Sequence, residues 1–118
     1  MAASTTAIMY GIFTREESNG ILVYKPSRAL EKSERQKIGD AFRKRIEGVL
    51  GWYDAPTDGK LNTLRFESLR GGDSPHHSPE LNIVIRAKSI KVKSYNSDKK
   101  YMKNLKEIAD NVVQQIPR

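Results

Sequence analysis

The stretch from Leu81 to Ile116 constrains the fold most, because the spacing of its apolar residues changes along the chain. At its start, apolar residues alternate with polar ones, which is the period of a β-strand with one buried face. Further on, the alternation changes phase, so that Ile90 and Val92 become the apolar members. Such a change requires a bulge or a tight turn, which we place at 87–89. We therefore expect one or two strands over 81–95.

The second part of this stretch has the spacing of an α-helix. From about Lys99 its apolar residues recur at intervals of three and four, which places them on one buried stripe. Pro117 ends the predicted helix, because proline cannot continue the backbone hydrogen bonding. The members of the stripe are Tyr101, Leu105, Ile108, Ala109, Val112 and Ile116.

The first part of the chain indicates a β-hairpin. Residues 7–14 and 21–25 are rich in β-branched and aromatic side chains and are predicted to be strands. Residues 16–20 separate them and end in Asn19-Gly20, a pair that suits the positive φ of a hairpin turn.

A first helix is expected to follow this hairpin. It is predicted to begin at Ser33, with Ser27 as an alternative capping residue, and to end near Gly51. Its apolar stripe consists of Ile38, Phe42, Ile46, Val49 and Leu50.

The segment between this helix and Leu81 is predicted to contain one strand. Residues 52–56 are expected to be irregular and residues 58–59 to form a turn. A strand is expected at 61–69, with Leu64 and Phe66 on one face.

These elements together predict an α+β fold, in which a small antiparallel sheet carries two helices on one face. The predicted order is β-β-α-β-β(-β)-α. Residues 7–118 are expected to form a single domain, and the small polar residues 1–6 a flexible N-terminus.

Composition excludes several classes of function. The chain has no cysteine, which excludes disulfides, thiolate catalysis and cysteine-ligated metal sites, and we expect no cofactor. No apolar run approaches the ~18 residues of a membrane-spanning helix, and no secretory signal is evident. We therefore expect a soluble intracellular protein, cytoplasmic or nuclear, that has no membrane partner.

Positive charge is concentrated between Arg86 and Lys106, where the only acid is Asp98, in a chain of formal net charge +7. Most of the candidate nucleic-acid-binding residues come from this stretch, and two cations of the first helix would join them if the helices lie side by side. The candidates are Arg86, Lys88, Lys91, Lys93, Tyr95, Lys99, Lys100, Lys103, Arg43 and Lys44.

The leading hypothesis is a small basic, non-enzymatic domain that contacts RNA or DNA mainly through phosphates, with Tyr95 as a stacking platform. Lysines at the start of a helix oppose its dipole, and phosphate binding would explain them. The alternative explanation of Lys91 and Lys93 is that charged residues on an edge strand block aggregation. No RNP motif, KH loop or zinc finger accompanies these residues.

Two other functions remain open at this point. One is a protein–protein module, such as an adaptor, an inhibitor or a homodimer, that uses an open sheet edge. The other is a small nuclease built on His76 or His77, which lie in the glycine- and proline-rich loop 71–79. Adjacent side chains in an extended loop point apart, and no third histidine completes a zinc site.

Overall fold

The computed structural model of the chain describes residues 8–50, 53–55, 63–67, 79–95 and 99–117. The elements in these ranges are β1 (Ile8–Tyr10), β2 (Phe13–Ser18), β3 (Ile21–Pro26), α1 (Lys32–Leu50), β4 (Tyr53–Ala55), β5 (Thr63–Glu67), β6 (Pro79–Ile85), β7 (Ile90–Ser94) and α2 (Lys99–Gln114).

The described strands form one seven-stranded sheet in the order β1-β2-β3-β7-β6-β5-β4, with every neighbouring pair antiparallel. The chain returns from β6 to pair β7 with β3, so β7 is the central strand with three strands on each side. The α+β class and the predicted order of elements are confirmed, and the structure adds β1 and β4 as separate strands.

The N-terminal hairpin is longer than the sequence indicated. Its turn is the predicted Asn19-Gly20 pair, with φ of 48° and 78°, but β2 continues to the residue before this turn and pairs with β3 throughout. A two-residue turn needs no further breaking residues, so Glu16 and Glu17 are strand residues and not loop. The predicted strand at 7–14 is instead divided at Gly11, whose φ of 62° allows a second tight turn between β1 and β2.

Helix α1 begins at Lys32, which is one residue before the predicted start. Ser33 therefore lies inside the first turn, and neither it nor Ser27 is the capping residue that we predicted. The side chain of Glu34 accepts a hydrogen bond of 3.0 Å from the backbone N–H of Glu31, which satisfies one of the free donors at this end of the helix.

The middle of the chain is described only in part. Residues 53–55, which we expected to be irregular, form β4 and pair with β5. Leu64 and Phe66 are buried on one face of β5, as predicted. The predicted N-terminus at 1–6, the predicted turn at 58–59, residues 71–78 of the predicted loop 71–79, and the side chains of Val49 and Leu50 lie outside the described residues. Pro79, the last residue of that predicted loop, begins β6 instead.

Both helices pack on the same face of the sheet, and one core cluster contains side chains from the sheet and from both helices. The predicted helical stripes are buried, including Ile38, Phe42 and Ile46 of α1 and all six predicted residues of α2. Ile116 lies just beyond α2 but is only 2% exposed, so it completes the stripe.

Helix α2 runs antiparallel to β2 across this covered face. Lys106 of α2 lies against Glu17, and Asp110 lies against Arg15. Near the end of the helix, the backbone of Gln114 would lie 3.6 Å from a β-carbon at Gly11.

The opposite face of the sheet is covered by none of the described elements, and we call it the open face. Its residues follow from the pairing register and the alternation along each strand, and those used below are Glu16, Ser18, Ile21, Val23, Asn82, Val84, Lys91, Lys93 and Tyr95.

Candidate nucleic-acid interface

Lys91 and Lys93 stand on the open face of the central strand. Both are exposed, and the pairing register places Lys91 between Val23 and Val84. The same register places Lys93 between Ile21 and Asn82. Each lysine is therefore flanked on the two neighbouring strands by half-buried side chains that carry no charge.

Neither of these lysines forms an ion pair with another described residue. In the row of the sheet that contains Lys91, the register places Glu16 opposite Val23, two strands away from this lysine. Two strand spacings separate the backbones of these two residues by about 10 Å, and their side chains form no ion pair.

Tyr95 follows β7 and lies on the same open face. Half of its surface is exposed (50%), and its hydroxyl accepts a hydrogen bond of 3.0 Å from the side-chain amide of Asn82. The ammonium group of Lys93 lies 5.0 Å from the centre of the Tyr95 ring, a cation–π distance. The face shared by Lys91, Lys93 and Tyr95 in the sequence pattern is thus present in the structure.

A shallow cavity of about 270 Å³ adjoins Lys91 on the open face. Its apolar wall includes Ile21 and Val23, and its polar wall includes Glu16 and Ser18. The cavity offers a mixed surface beside the lysine.

The remaining cations of the basic stretch lie elsewhere. Arg86 and Lys88 occupy the tight turn between β6 and β7, where the backbone N–H of Arg86 donates to the carbonyl of Ser89 at 2.8 Å. This turn confirms the predicted change of phase at 87–89. It lies at the opposite end of β7 from Tyr95, separated by a strand of about 16 Å.

The lysines of α2 belong to the covered side of the sheet. Lys99, Lys100 and Lys103 are exposed at the start of this helix, whose first turn contains no acid. Lys106 instead forms an ion pair of 2.7 Å with Glu17 and is therefore engaged within the fold.

The two cations of α1 do not extend the open face. The helices do pack against each other, but Arg43 forms an ion pair of 3.0 Å with Asp40. Lys44 lines a cavity of about 460 Å³ with Gln115, which is at the far end of α2 from Lys103. From Lys103 to Gln114, the last residue of α2, the helix rises by about 17 Å, and Gln115 follows directly.

A polar cluster that the sequence analysis did not identify lies between the sheet and α2. The carboxylate of Asp110 accepts hydrogen bonds of 2.6 Å from the guanidinium of Arg15 and 2.6 Å from the hydroxyl of Tyr24. The side chains of Arg15 and Asp110 are only 11% and 14% exposed. The Arg15 guanidinium also lies 4.9 Å from the centre of the Tyr10 ring.

The charges in this cluster alter the ionisation of their neighbours. Burial raises the pKa of Tyr24, and its hydrogen bond to the Asp110 carboxylate raises it further. Burial lowers the pKa of Arg15, but the negative charge of Asp110, the neighbouring Tyr10 and Tyr24 and the hydrogen bond to Asp110 together raise it above its ordinary value. Tyr24 is therefore neutral and Arg15 charged at any ordinary pH, so both remain hydrogen-bond donors to Asp110.

A sequence signal for this cluster does exist. On β2, Arg15 and Glu17 continue the inward alternation that begins at Phe13, so charged residues occupy positions that face α2. On α2, Lys106 and Asp110 are four residues apart beside the apolar stripe. The sequence analysis did not connect the charged residues of β2 with those of α2, because the first strand was predicted to end before Arg15.

The structure does not address the nuclease hypothesis, because His76 and His77 lie outside the described residues. In the part of the chain that is described, no group of His, Asp or Glu side chains has the arrangement of a metal site. The described helices also include none long and apolar enough to cross a membrane.

The structure is thus of the α+β class, with an antiparallel sheet whose open face carries Lys91 and Lys93 and is covered by none of the described elements. Comparisons of the chain with protein-family models, with curated proteins and with solved structures give no match. A functional interpretation therefore depends on the residues described above.

Proposed function

We propose that this protein is a small non-enzymatic binding domain that contacts RNA or DNA mainly through phosphates, and that the open face is its contact surface. The observation that carries the proposal is the position of Lys91 and Lys93, two exposed lysines without described ion pairs on the central strand.

The central position removes the main alternative explanation of these lysines. Charged side chains protect a sheet against aggregation when they lie on an edge strand, whose backbone groups are unpaired. The backbone of β7 is instead paired with β3 on one side and β6 on the other. Because lysine is also disfavoured in strands, its presence at two positions of the central strand calls for another reason.

Phosphate binding supplies such a reason. The net charge of +7 attracts polyanions over a long range. At short range, Lys91 and Lys93 are two residues apart on one face, about 7 Å along the strand, so they can contact successive phosphates. Each neutralised phosphate releases counterions, and this release favours binding at moderate salt.

The experiment is a fluorescence-anisotropy titration of labelled single- and double-stranded RNA and DNA at several salt concentrations. The test variant is Lys91→Thr/Lys93→Thr, since threonine suits a strand. The control variant is Lys32→Ala/Lys37→Ala, which removes two exposed lysines from α1 and keeps good helix formers.

We expect the test variant to bind more weakly and its salt dependence to be shallower. Loss of two phosphate contacts should reduce the slope of log K against log salt by about 1.4 for single strands. The control variant has the same net charge as the test variant, because each loses two lysines, and it should keep most of the slope of the wild type. Equal losses in the two variants would show that only overall charge matters, and would contradict the assignment of the open face.

A third variant, Lys99→Ala/Lys103→Ala, measures whether the start of α2 takes part. These lysines lie on the helix that covers the other side of the sheet. Their contribution to binding is thereby measured separately from that of the open face.

A second candidate function, self-association through a sheet edge, is favoured by β1. This strand ends the described sheet, and it exposes 44% of Ile8 and 59% of Met9. Two identical edges can pair symmetrically across a two-fold axis. The mark of this function would be a dimer in light scattering that Met9→Lys dissociates, together with no affinity for oligonucleotides.

A further inference from the structure

We infer that Tyr95 stacks on an unpaired base, and that the ligand of the open face is therefore single-stranded nucleic acid. This inference rests on the proposed function, because it names the class of nucleic acid that the same surface would bind.

The first argument is the fixed position of an exposed aromatic ring. Tyr95 leaves half of its surface in solvent, although a ring of this size is usually more deeply buried. It is nevertheless held, because Asn82 donates a hydrogen bond to its hydroxyl and Lys93 lies over the ring. A ring that is already oriented loses little conformational entropy when a base stacks on it.

The second argument is the alignment of Tyr95 with the two lysines. Lys91, Lys93 and Tyr95 follow one another at every second residue on the open face, each step covering about 7 Å. A nucleotide chain that lies along β7 would place phosphates at the lysines and one base at the tyrosine. Single-strand binders combine a basic track with an aromatic platform in this way.

The third argument is the character of the surface around the lysines. Ile21, Val23 and Val84 flank them and are half-buried, so their outer surfaces remain available for contact. Unstacked bases expose apolar faces, which gain from contact with such side chains. The phosphates of a duplex would use only the lysines.

Base stacking also separates single strands from duplexes. In a duplex, each base face is covered by its neighbours, and a base could reach Tyr95 only by unpairing and unstacking, which costs free energy. A single strand presents its base faces at little cost. The ring therefore contributes affinity for single strands that it does not contribute for duplexes.

The test uses three labelled 12-nucleotide DNA probes: a single-stranded oligothymidine, its duplex with oligodeoxyadenosine, and an abasic strand that keeps the phosphates. Each is titrated with the wild type, with Tyr95→Ala and with Tyr95→Phe. The Phe variant keeps the ring and loses only the hydroxyl contact to Asn82, so it separates stacking from hydrogen bonding. Urea unfolding of each variant shows that the fold is intact.

We expect Tyr95→Ala to weaken binding of oligothymidine about 5- to 100-fold. Binding of the duplex and of the abasic strand should change by less than about twofold, since neither offers a free base face. Tyr95→Phe should stay within about threefold of the wild type on every probe.

The results that would contradict the stacking role of Tyr95 differ from those that would contradict nucleic-acid binding by the open face. If the wild type binds but Tyr95→Ala loses nothing on oligothymidine, or loses equally on the abasic strand, the stacking role is overturned and the phosphate role stands. If the wild type binds none of the three probes, or binds them only at low salt, the proposed function itself fails.

Discussion

At the scale of single residues, the carboxylate of Asp110 connects α2 to two neighbouring strands. It binds the Arg15 guanidinium of β2 through one oxygen and the Tyr24 hydroxyl of β3 through the other. The two strands and the helix meet at this point at the border of the core, where an unpaired charge would be costly. The Arg15–Asp110 ion pair and the Tyr24–Asp110 hydrogen bond therefore attach α2 to these two strands.

Removal of this carboxylate should destabilise the fold. We predict that Asp110→Ala lowers the free energy of unfolding by about 3 kcal/mol, because Arg15 loses its counterion in a site that is mostly shielded from water. Urea unfolding followed by circular dichroism measures the change.

The neighbouring exposed residue supplies the control for this variant. Asn111→Ala should change stability by less than about 0.5 kcal/mol. Tyr24→Phe should cost about 1.5 kcal/mol, since it removes one hydrogen bond to a charged group and keeps the edge-to-face contact with Phe13. If Asp110→Ala and Asn111→Ala were equally stable, the Arg15–Asp110 ion pair would contribute nothing to the free energy of unfolding.

For single residues, the sequence predicted the face on which a side chain lies better than it predicted the residue to which that side chain is bonded. The alternation over 81–95 correctly placed Lys91, Lys93 and Tyr95 on one face, because strand alternation is a local property. The partner of Arg15 and Tyr24 comes from a helix about 90 residues later. The local patterns place charged residues on the inner sides of β2 and α2, but they do not specify which of these residues pair.

At the scale of elements, two glycines show opposite requirements. Gly20 has a φ of 78° in the turn between β2 and β3, a region in which side chains are strained. Gly48 lies in α1 with an ordinary helical backbone, and a β-carbon there would meet nothing within 4 Å.

The same substitution should therefore have opposite effects at these two sites. We predict that Gly20→Ala destabilises the protein by about 1 kcal/mol, through the strain of the left-handed backbone. Gly48→Ala should stabilise it by about 0.5 kcal/mol, because alanine restricts the unfolded chain and favours the helix. Thermal and urea unfolding of the two variants give the signs directly.

A stabilised Gly20→Ala would contradict this account of the turn, and a destabilised Gly48→Ala would contradict the account of the helix. A neutral Gly20→Ala would mean that the turn relaxes to another type without cost, in which case Asn19 would also tolerate a β-branched residue.

Element boundaries were the weaker part of the sequence prediction. The body of α2 was correct because its apolar period extends over the whole helix. β4 was missed because three residues are too few to show a period, and pairing with β5 alone makes them a strand.

At the scale of the whole molecule, Arg28 connects the start of α1 with the end of the chain. Its guanidinium forms two hydrogen bonds of 2.8 Å with the Glu34 carboxylate and donates to the carbonyl of Pro117 at 3.0 Å. The hydrogen bonds from Arg28 and from the backbone of Glu31 lower the pKa of Glu34 to about 2.

This low pKa predicts a dependence of stability on acid. Above its ordinary pKa of 4.5, Glu34 is charged in both the folded and the unfolded chain, and its contribution is fully present. As the pH falls from 4.5 toward 2, the unfolded chain takes up the proton first, so the contribution is lost.

The measurement is the free energy of unfolding of the wild type and of Glu34→Gln across this pH range. The difference between the two proteins should be constant above about pH 5 and should shrink as the pH falls toward 2. Glu47→Gln, an exposed carboxyl on the same helix, serves as the control. A difference that does not change with pH would contradict the role of the Arg28 contacts.

The sequence by itself determined the α+β class, the two helical stripes, the turns at 19–20 and 87–89, and the common face of Lys91, Lys93 and Tyr95. Each of these depends on the period or the turn preference of a short segment, which side-chain order specifies locally.

Only the tertiary structure decided that β7 is the central strand, and with it that its lysines protect no edge. It also placed Lys99, Lys100 and Lys103 on the helix of the covered side, so that the basic stretch is divided between two sides of the sheet. The physical reason is that several strand orders bury the same apolar residues. The choice among them depends on how the whole set of helices and strands packs together, which no local period records.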